Sequence, residues 1–174
     1  MALRDILIAP HPKLKTRADP VEVVDDELRA LLDDMLETMY AAPGIGLAAP
    51  QIGVMRRAIV LDVADKESPP RPMCLINPEI VGRGEETVTA EEGCLSLPEI
   101  YGDVTRQARV FVRFTDRDGE RREMDADGLL ARCLQHELDH LDGVLFVDHL
   151  SALKRKMLMR KLAKLQREKE RQTA

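Results

Sequence analysis

The sequence contains no tryptophan, two tyrosines and three phenylalanines. So few aromatics argue against nucleic-acid recognition by base stacking, and no sequence-specific nucleic-acid partner is expected. They also leave the core to Leu, Val, Ile, Met and Ala. Long apolar runs are missing: none approaches the ~20 residues of a membrane-spanning helix, so no membrane partner is expected. At the start of the chain, Arg4 and Asp5 interrupt the apolar stretch that a secretory signal would need. These features read as a cytoplasmic protein. Cysteine is sparse and odd in number, with Cys74, Cys94 and Cys133 alone. Three thiols do not make a disulfide scaffold, and in a reducing compartment a cysteine is buried, catalytic or metal-bound.

What remains suits one soluble domain. The 174 residues are long enough for a sizeable core, and 44% hydrophobic with 33% charged residues is an ordinary globular balance. The net charge of −5 is unevenly spread. Residues 151–174 carry nine Lys/Arg against two Glu, a net of +7, so residues 1–150 carry −12. An acidic body with a basic tail predicts an anionic partner for the tail.

No internal repeat is visible. Residues 25–42 predict a helix, because Leu28, Leu31, Leu32, Met35, Leu36, Met39 and Tyr40 recur at core-facing helical spacing. Asp25 and Asp26 suit its N-terminus and Pro43-Gly44 its end. Strands are predicted over 57–64, 74–81, 86–93 and 108–116. Asp118-Gly119 marks a hairpin into a strand over 120–126. The stretch PEIYGDVTR, 98–106, is read as a loop. A second helix is predicted from Leu129 to Asp142, stopped by Gly143, then an extended link over 144–150 and a last helix from Ser151 to Lys169. The fold class is α+β: antiparallel strands packed around a central metal-binding helix, flanked by an N-terminal and a C-terminal helix. Residues 1–174 are expected to form a single catalytic domain that includes the basic helix 151–174.

The chemistry centres on QHELDHLDG, Gln135 to Gly143. On a helix, His136, Glu137 and His140 share one face, so two imidazoles can bind a metal while the carboxylate acts on its water. A metzincin would place its third histidine at position 146, where Phe146 stands. A thermolysin-like ligand would be a downstream Glu, and only Glu168 and Glu170 of the charged tail remain. His149 reads as a surface or capping residue, and His11 as structural or exposed in its Pro-flanked loop. Cys133 lies on the helix face, but it is seven residues from His140, about 10 Å along the axis. It lines the pocket rather than binding. Cys74 sits in an apolar run and reads as core. Cys94, between Gly93 and a Pro-ended segment in EEGCLSLP, is the third ligand. One thiolate, two imidazoles and an open position describe a catalytic site. The set suits Zn(II) or Fe(II), and spacing does not choose between them.

Three stretches together, GIGLAAPQ (44–51), EGCLSLP (92–98) and QHELDHLDG (135–143), resemble the signature motifs of peptide deformylase, in order and across the whole chain. The resemblance implies removal of the formyl group from N-formylmethionine on nascent polypeptides, with release of formate. It implies that Cys94, His136 and His140 hold one divalent ion, Fe(II) first and Zn(II), Ni(II) or Co(II) as substitutes. Water activated at the ion attacks the formyl carbon, with Glu137 as general base and then acid. By the same resemblance, the Gln51 side-chain amide and the Leu95 backbone N–H are expected to stabilise the developing oxyanion. It also implies that Ile45 and Gly46 contact the substrate and that Leu129 and Cys133 line the methionine side-chain pocket. Glu92 and Arg106 read by default as a surface ion pair, with a pair that orients a metal ligand as the alternative. The resemblance further implies that the basic C-terminal helix docks on the ribosome near the tunnel exit through RNA phosphates.

Two other functions use some of these residues. A zinc endopeptidase explains Glu137 but neither Cys94 nor Gln51, and an assay on internal peptide bonds separates it. A ribosome-associated module with a structural metal would fill all four ligand positions from the protein, which these residues do not.

Overall fold

The computed structural model describes residues 2–173. Its elements run α1 (Asp26–Ala41), β1 (Gly46–Ala48), β2 (Ala58–Leu61), β3 (Met73–Arg83), β4 (Thr87–Cys94), β5 (Leu97–Gln107), β6 (Arg109–Thr115), β7 (Arg121–Asp127), α2 (Gly128–Leu141) and α3 (Ala152–Thr173). Short 3-10 turns cover Pro12–Lys15, Ala49–Ile52 and Phe146–His149. The class is α+β, as the alternation of patterns predicted.

All strand pairing in the two sheets is antiparallel. Five strands form one sheet in the order β1-β2-β3-β6-β7, and β4 and β5 form a separate ribbon. β2 is buried along its whole length because helices cover both of its faces. Ile59 and Leu61 pack with Ala131, Leu134, Leu138 and Leu141 of α2. Ala58 and Val60 pack with Leu28, Leu31, Leu32, Met35 and Met39 of α1. The alternation of a strand thus serves two helical layers. Each fully buried Leu or Met contributes about 1.5–3 kcal/mol over its exposed state. Leu32→Ala would cost about 2–5 kcal/mol.

α1 starts where its cap dictates: the Asp25 carboxylate accepts from Leu28 N at 2.9 Å. α2 ends at Gly143, whose φ of +74° is left-handed. A Cβ there would also meet the Lys15 backbone at 2.7 Å, so glycine is required on two counts. α3 lies on the ribbon, with Leu162 buried among Leu97, Ile100, Val104, Phe146 and Val147. None of the described helices is long and apolar enough to cross a membrane.

Two local readings are corrected. Residues 98–106 are not a loop but the body of β5, which pairs residue by residue from Gln107 opposite Thr87 to Tyr101 opposite Gly93. Pro98, Gly102 and the acidic residues obscured the strand pattern. The partner strand and the apolar bed under Ile100 and Val104 override that local composition. Residues 144–150 are not extended throughout: Phe146–His149 form a 3-10 turn, closed by Asp148 accepting from Leu145 N at 2.9 Å. The three-residue β1 inside GIGLAAPQ is too short to show a period of its own.

Candidate metal centre

Cys94 is the last residue of β4, where the ribbon's register shifts between Gly93 and Cys94 before the turn at Leu95-Ser96. That irregularity re-aims the side chain at the end of the strand, towards α2. There His136 and His140 stand one turn apart with ring centroids 5.0 Å apart. The Cys94 sulfur is 3.3 Å from His140 Nε2, and one donor atom from each of the three residues lies within 4.8 Å of the others. Two ligands of one tetrahedral ion, at about 2.3 Å for sulfur and 2.1 Å for nitrogen, stand roughly 3.6 Å apart. The three side chains therefore fit a single metal ion. Among the described residues, three buried side-chain atoms have no hydrogen-bond partner: Glu37 Oε2, and at the centre Glu137 Oε2 and His140 Nδ1. Such orphans are rare without a reason, and Glu137 sits beside the triad, with Oε1 3.8 Å from His136 Nε2.

Behind the triad lies a buried ion-pair cluster. Glu92 Oε1 is 2.9 Å from His136 Nδ1, which leaves His136 Nε2 to face Cys94. Arg106 grips Glu92 with both arms of its fork, Nε to Oε2 at 2.6 Å and Nη2 to Oε1 at 2.9 Å. Its third nitrogen donates to Asp139 Oδ2 at 2.9 Å, and His149 Nε2 meets the same oxygen at 2.8 Å. The Glu92–Arg106 pair anticipated from sequence is thus a buried one, its side chains 6% and 5% exposed. His149 anchors Asp139, and the His11 ring accepts from Lys13 N to cap the Pro12–Lys15 turn. Phe146, at the metzincin histidine position, stacks on His136 at 6.4 Å.

Burial and charge set the protonation of these groups. Burial opposes ionisation of Glu92, but hydrogen bonds from His136 and Arg106 prevail and hold its carboxyl at about 2. Burial pushes Glu137 up to about 7, although His136 and Arg106 pull against it. Burial also works against a charge on His136, yet hydrogen bonds to Cys94 and Glu92 raise its affinity for a proton well above the ordinary. His140, buried and next to His136, is lowered well below it. The groups around His136 thus favour positive charge at the centre, whether from a proton or from an ion. Protons and metal compete for the same ligand atoms, so metal affinity should rise with pH.

A cavity of about 630 Å³ opens on the triad, bordered by Gln51, Cys94, Leu95, His136 and Glu137. All four residues assigned to the substrate from sequence lie on it: Ile45 and Leu129 on the exposed rim, Gly46 and Cys133 deeper. Gln51 is buried, and its orientation is determined by its partners. Ala48 N–H donates to Oε1 at 2.9 Å, so Nε2 faces Ser96 Oγ at 3.1 Å and Cys94 sulfur at 3.6 Å. Close approach explains Gly46: a Cβ there would meet Cys133 sulfur at 2.9 Å and Glu137 Cγ at 3.0 Å. Sequence reasoning missed Tyr101 and Arg132, which also line the cavity. Arg132 precedes His136 by one helical turn, a spacing that could have marked it. Tyr101 was hidden by the misread strand.

Residues 3–156 match the family described as polypeptide deformylase. A curated peptide deformylase of Phenylobacterium zucineum is 58% identical over 94% of this chain and 97% of its own length. One from Methylocella silvestris is 59% identical over 94% of this chain and 85% of its own. Among solved structures, the peptide deformylase of Legionella pneumophila superimposes with a TM-score of 0.91 at 48% identity, covering 98% of this chain and 99% of that one. The Ehrlichia chaffeensis peptide deformylase in complex with actinonin gives 0.92 at 41% identity over 96% of this chain and 99% of its own.

Proposed function

The chain belongs to the polypeptide deformylase family of metal-dependent hydrolases, and we propose that it removes the formyl group from N-formylmethionine at the start of nascent polypeptides through the centre built on Cys94, His136 and His140. The observation that carries this reading is Glu137: a buried carboxylate with a free oxygen, beside the three potential ligands and facing a peptide-sized cavity.

When bound, a divalent ion there would lower the pKa of a coordinated water enough to make hydroxide available near neutral pH. Glu137 would take the proton from the attacking water and return it to the departing amine. A carboxyl that burial lifts to about 7, against the pull of His136 and Arg106, is poised for both transfers. Gln51 Nε2 and the Leu95 backbone N–H donate to the formyl oxygen as negative charge grows on it. Gln51 suits this task because Ala48 fixes its amide, so it reorganises little. Ile45 and Gly46 contact the peptide backbone, and Leu129 and Cys133 receive the methionine side chain. The native ion is Fe(II), with Zn(II), Ni(II) or Co(II) able to stand in. Thiolate and imidazole donors suit all four.

The whole chain acts as one catalytic domain in the cytoplasm. α3 belongs to that domain through buried Leu162, while its solvent face carries the basic residues that meet ribosomal RNA phosphates near the tunnel exit.

Formate release from a short N-formyl-Met peptide tests the reading, with protein prepared anaerobically with Fe(II) or loaded with Ni(II). Native protein should turn over rapidly, and Glu137→Ala should retain metal but lose turnover. A fully metallated native protein that releases no formate would overturn the proposal.

A further inference from the structure

Arg132 is a charged side chain that the reaction above does not use. It stands one helical turn before His136 on α2, with its side chain 13% exposed. Its Nη1 donates to Glu92 Oε2 and, at 3.0 Å, to Val104 O; its Nη2 donates to Val88 O at 2.6 Å. Val88 and Glu92 belong to β4 and Val104 to β5. One guanidinium therefore ties the helix that carries His136 and His140 to both strands of the ribbon that ends in Cys94.

The same contact completes Glu92. A carboxylate offers about four acceptor sites. Oε1 takes His136 Nδ1 and Arg106 Nη2, and Oε2 takes Arg106 Nε and Arg132 Nη1. With its four acceptor sites filled in this way, Glu92 is held in place against His136 Nδ1, and Nε2 is the ring nitrogen left to face Cys94. We propose that Arg132 is a positioning residue of the metal centre, holding the cysteine strand against the histidine helix and sharing Glu92 with Arg106 so that His136 presents Nε2 to the ion. The proposal rests on the reading that Cys94, His136 and His140 bind one metal. It requires the planar fork of arginine, because an ammonium cannot reach Glu92 and two separate carbonyls in fixed directions.

Co(II)-loaded protein provides the test, since its visible absorption reports ligand geometry and its transfer to a chelator reports how firmly the ligands are held. The variants are Arg132→Met and Arg132→Lys. Arg113→Met, which removes an exposed partner of Glu123, serves as control. Arg132→Met should shift the Co(II) spectrum, speed transfer about 10–100-fold and lower kcat more than it raises KM. Arg132→Lys should fall between it and the native protein. A native spectrum and a transfer rate within twofold of Arg113→Met, even with a lower melting temperature, would make Arg132 a structural strut and overturn the proposal. A change confined to KM would overturn it as well, by making Arg132 a wall of the cavity. If Arg132→Met does not fold, Arg132→Lys decides alone: faster transfer supports the proposal and a native rate overturns it. If the native protein takes up no Co(II) with thiolate absorption, the metal reading fails, and this proposal with it.

Discussion

Glu92 Oε1 and His136 Nδ1 lie 2.9 Å apart across 44 positions of sequence. Through this contact a buried cluster of two carboxylates and two arginines bears on one candidate metal ligand. Ion pairs this deep are weak contributors to net stability when whole, but costly to break from one side.

Glu92→Gln therefore has two expected effects. It leaves the Arg132 guanidinium without a countercharge and Arg106 with Asp139 alone, which should destabilise the protein by about 3–5 kcal/mol. It also weakens the hold on His136, with an expected 10–100-fold loss of metal affinity. Urea unfolding and competition with a chelator measure the two separately. An unchanged affinity would show that the contact is incidental to the centre.

Acid should destabilise the metal-free protein through the same residue. Glu92 ionises at about 2 in the fold against an ordinary 4.5. Between those values the unfolded chain binds a proton that the native protein does not. The stabilisation, about 3 kcal/mol, is present above pH 4.5 and lost as pH falls towards 2. Glu137 has the opposite sign, because burial lifts it to about 7. Its contribution is favourable below pH 4.5 and fades as pH rises towards 7. Urea midpoints from pH 3 to 7 should show both slopes, and Glu137→Gln should flatten the upper one only.

Gly46→Ala should fold and lose catalysis. The added methyl would stand 3.0 Å from Glu137 Cγ and 2.9 Å from Cys133 sulfur. A displacement of this size in a reacting group costs on the order of 100-fold. Steady-state kinetics should show the loss in kcat. Adding Cys133→Ala relieves one of the two contacts and should recover part of it.

Stripping the metal should abolish formate release and lower the melting temperature, and Ni(II) should restore both. An ion at 1,000 times its Kd stabilises the fold by about 4 kcal/mol. Equal melting curves with and without the ion would argue against a site held by Cys94, His136 and His140.

The basic helix makes a salt-dependent prediction. Truncation is a poor test because Leu162 of α3 is part of the core. Replacing exposed Lys154, Arg160 and Lys164 with Glu leaves Leu162 and its neighbours in place. Co-sedimentation with ribosomes should weaken in the variant, and in the native protein should fall steeply with salt. Equal binding by both would remove the ribosome from the account.

The sequence by itself determined what depends on short spacing. His136, Glu137 and His140 had to share a helix face, because 3.6 residues per turn puts i, i+1 and i+4 together. The α1 stripe and its Asp25 cap followed from the same local rules, and composition with strand alternation indicated α+β. Cys94 emerged by elimination, since no other residue offered a suitable donor in a suitable place. Only the tertiary structure decided how Cys94 reaches the helix, through a register shift at the end of β4 whose partner β5 was itself hidden by Pro98 and Gly102. It also decided that the Glu92–Arg106 pair is buried, that Arg132 and Asp139 join it, and that Ala48 orients Gln51. The physical reason is range. Helix periodicity and capping act over a few residues and leave a pattern in the chain. A hydrogen bond between residues more than thirty positions apart depends on where packing brings two segments, and no local pattern records it.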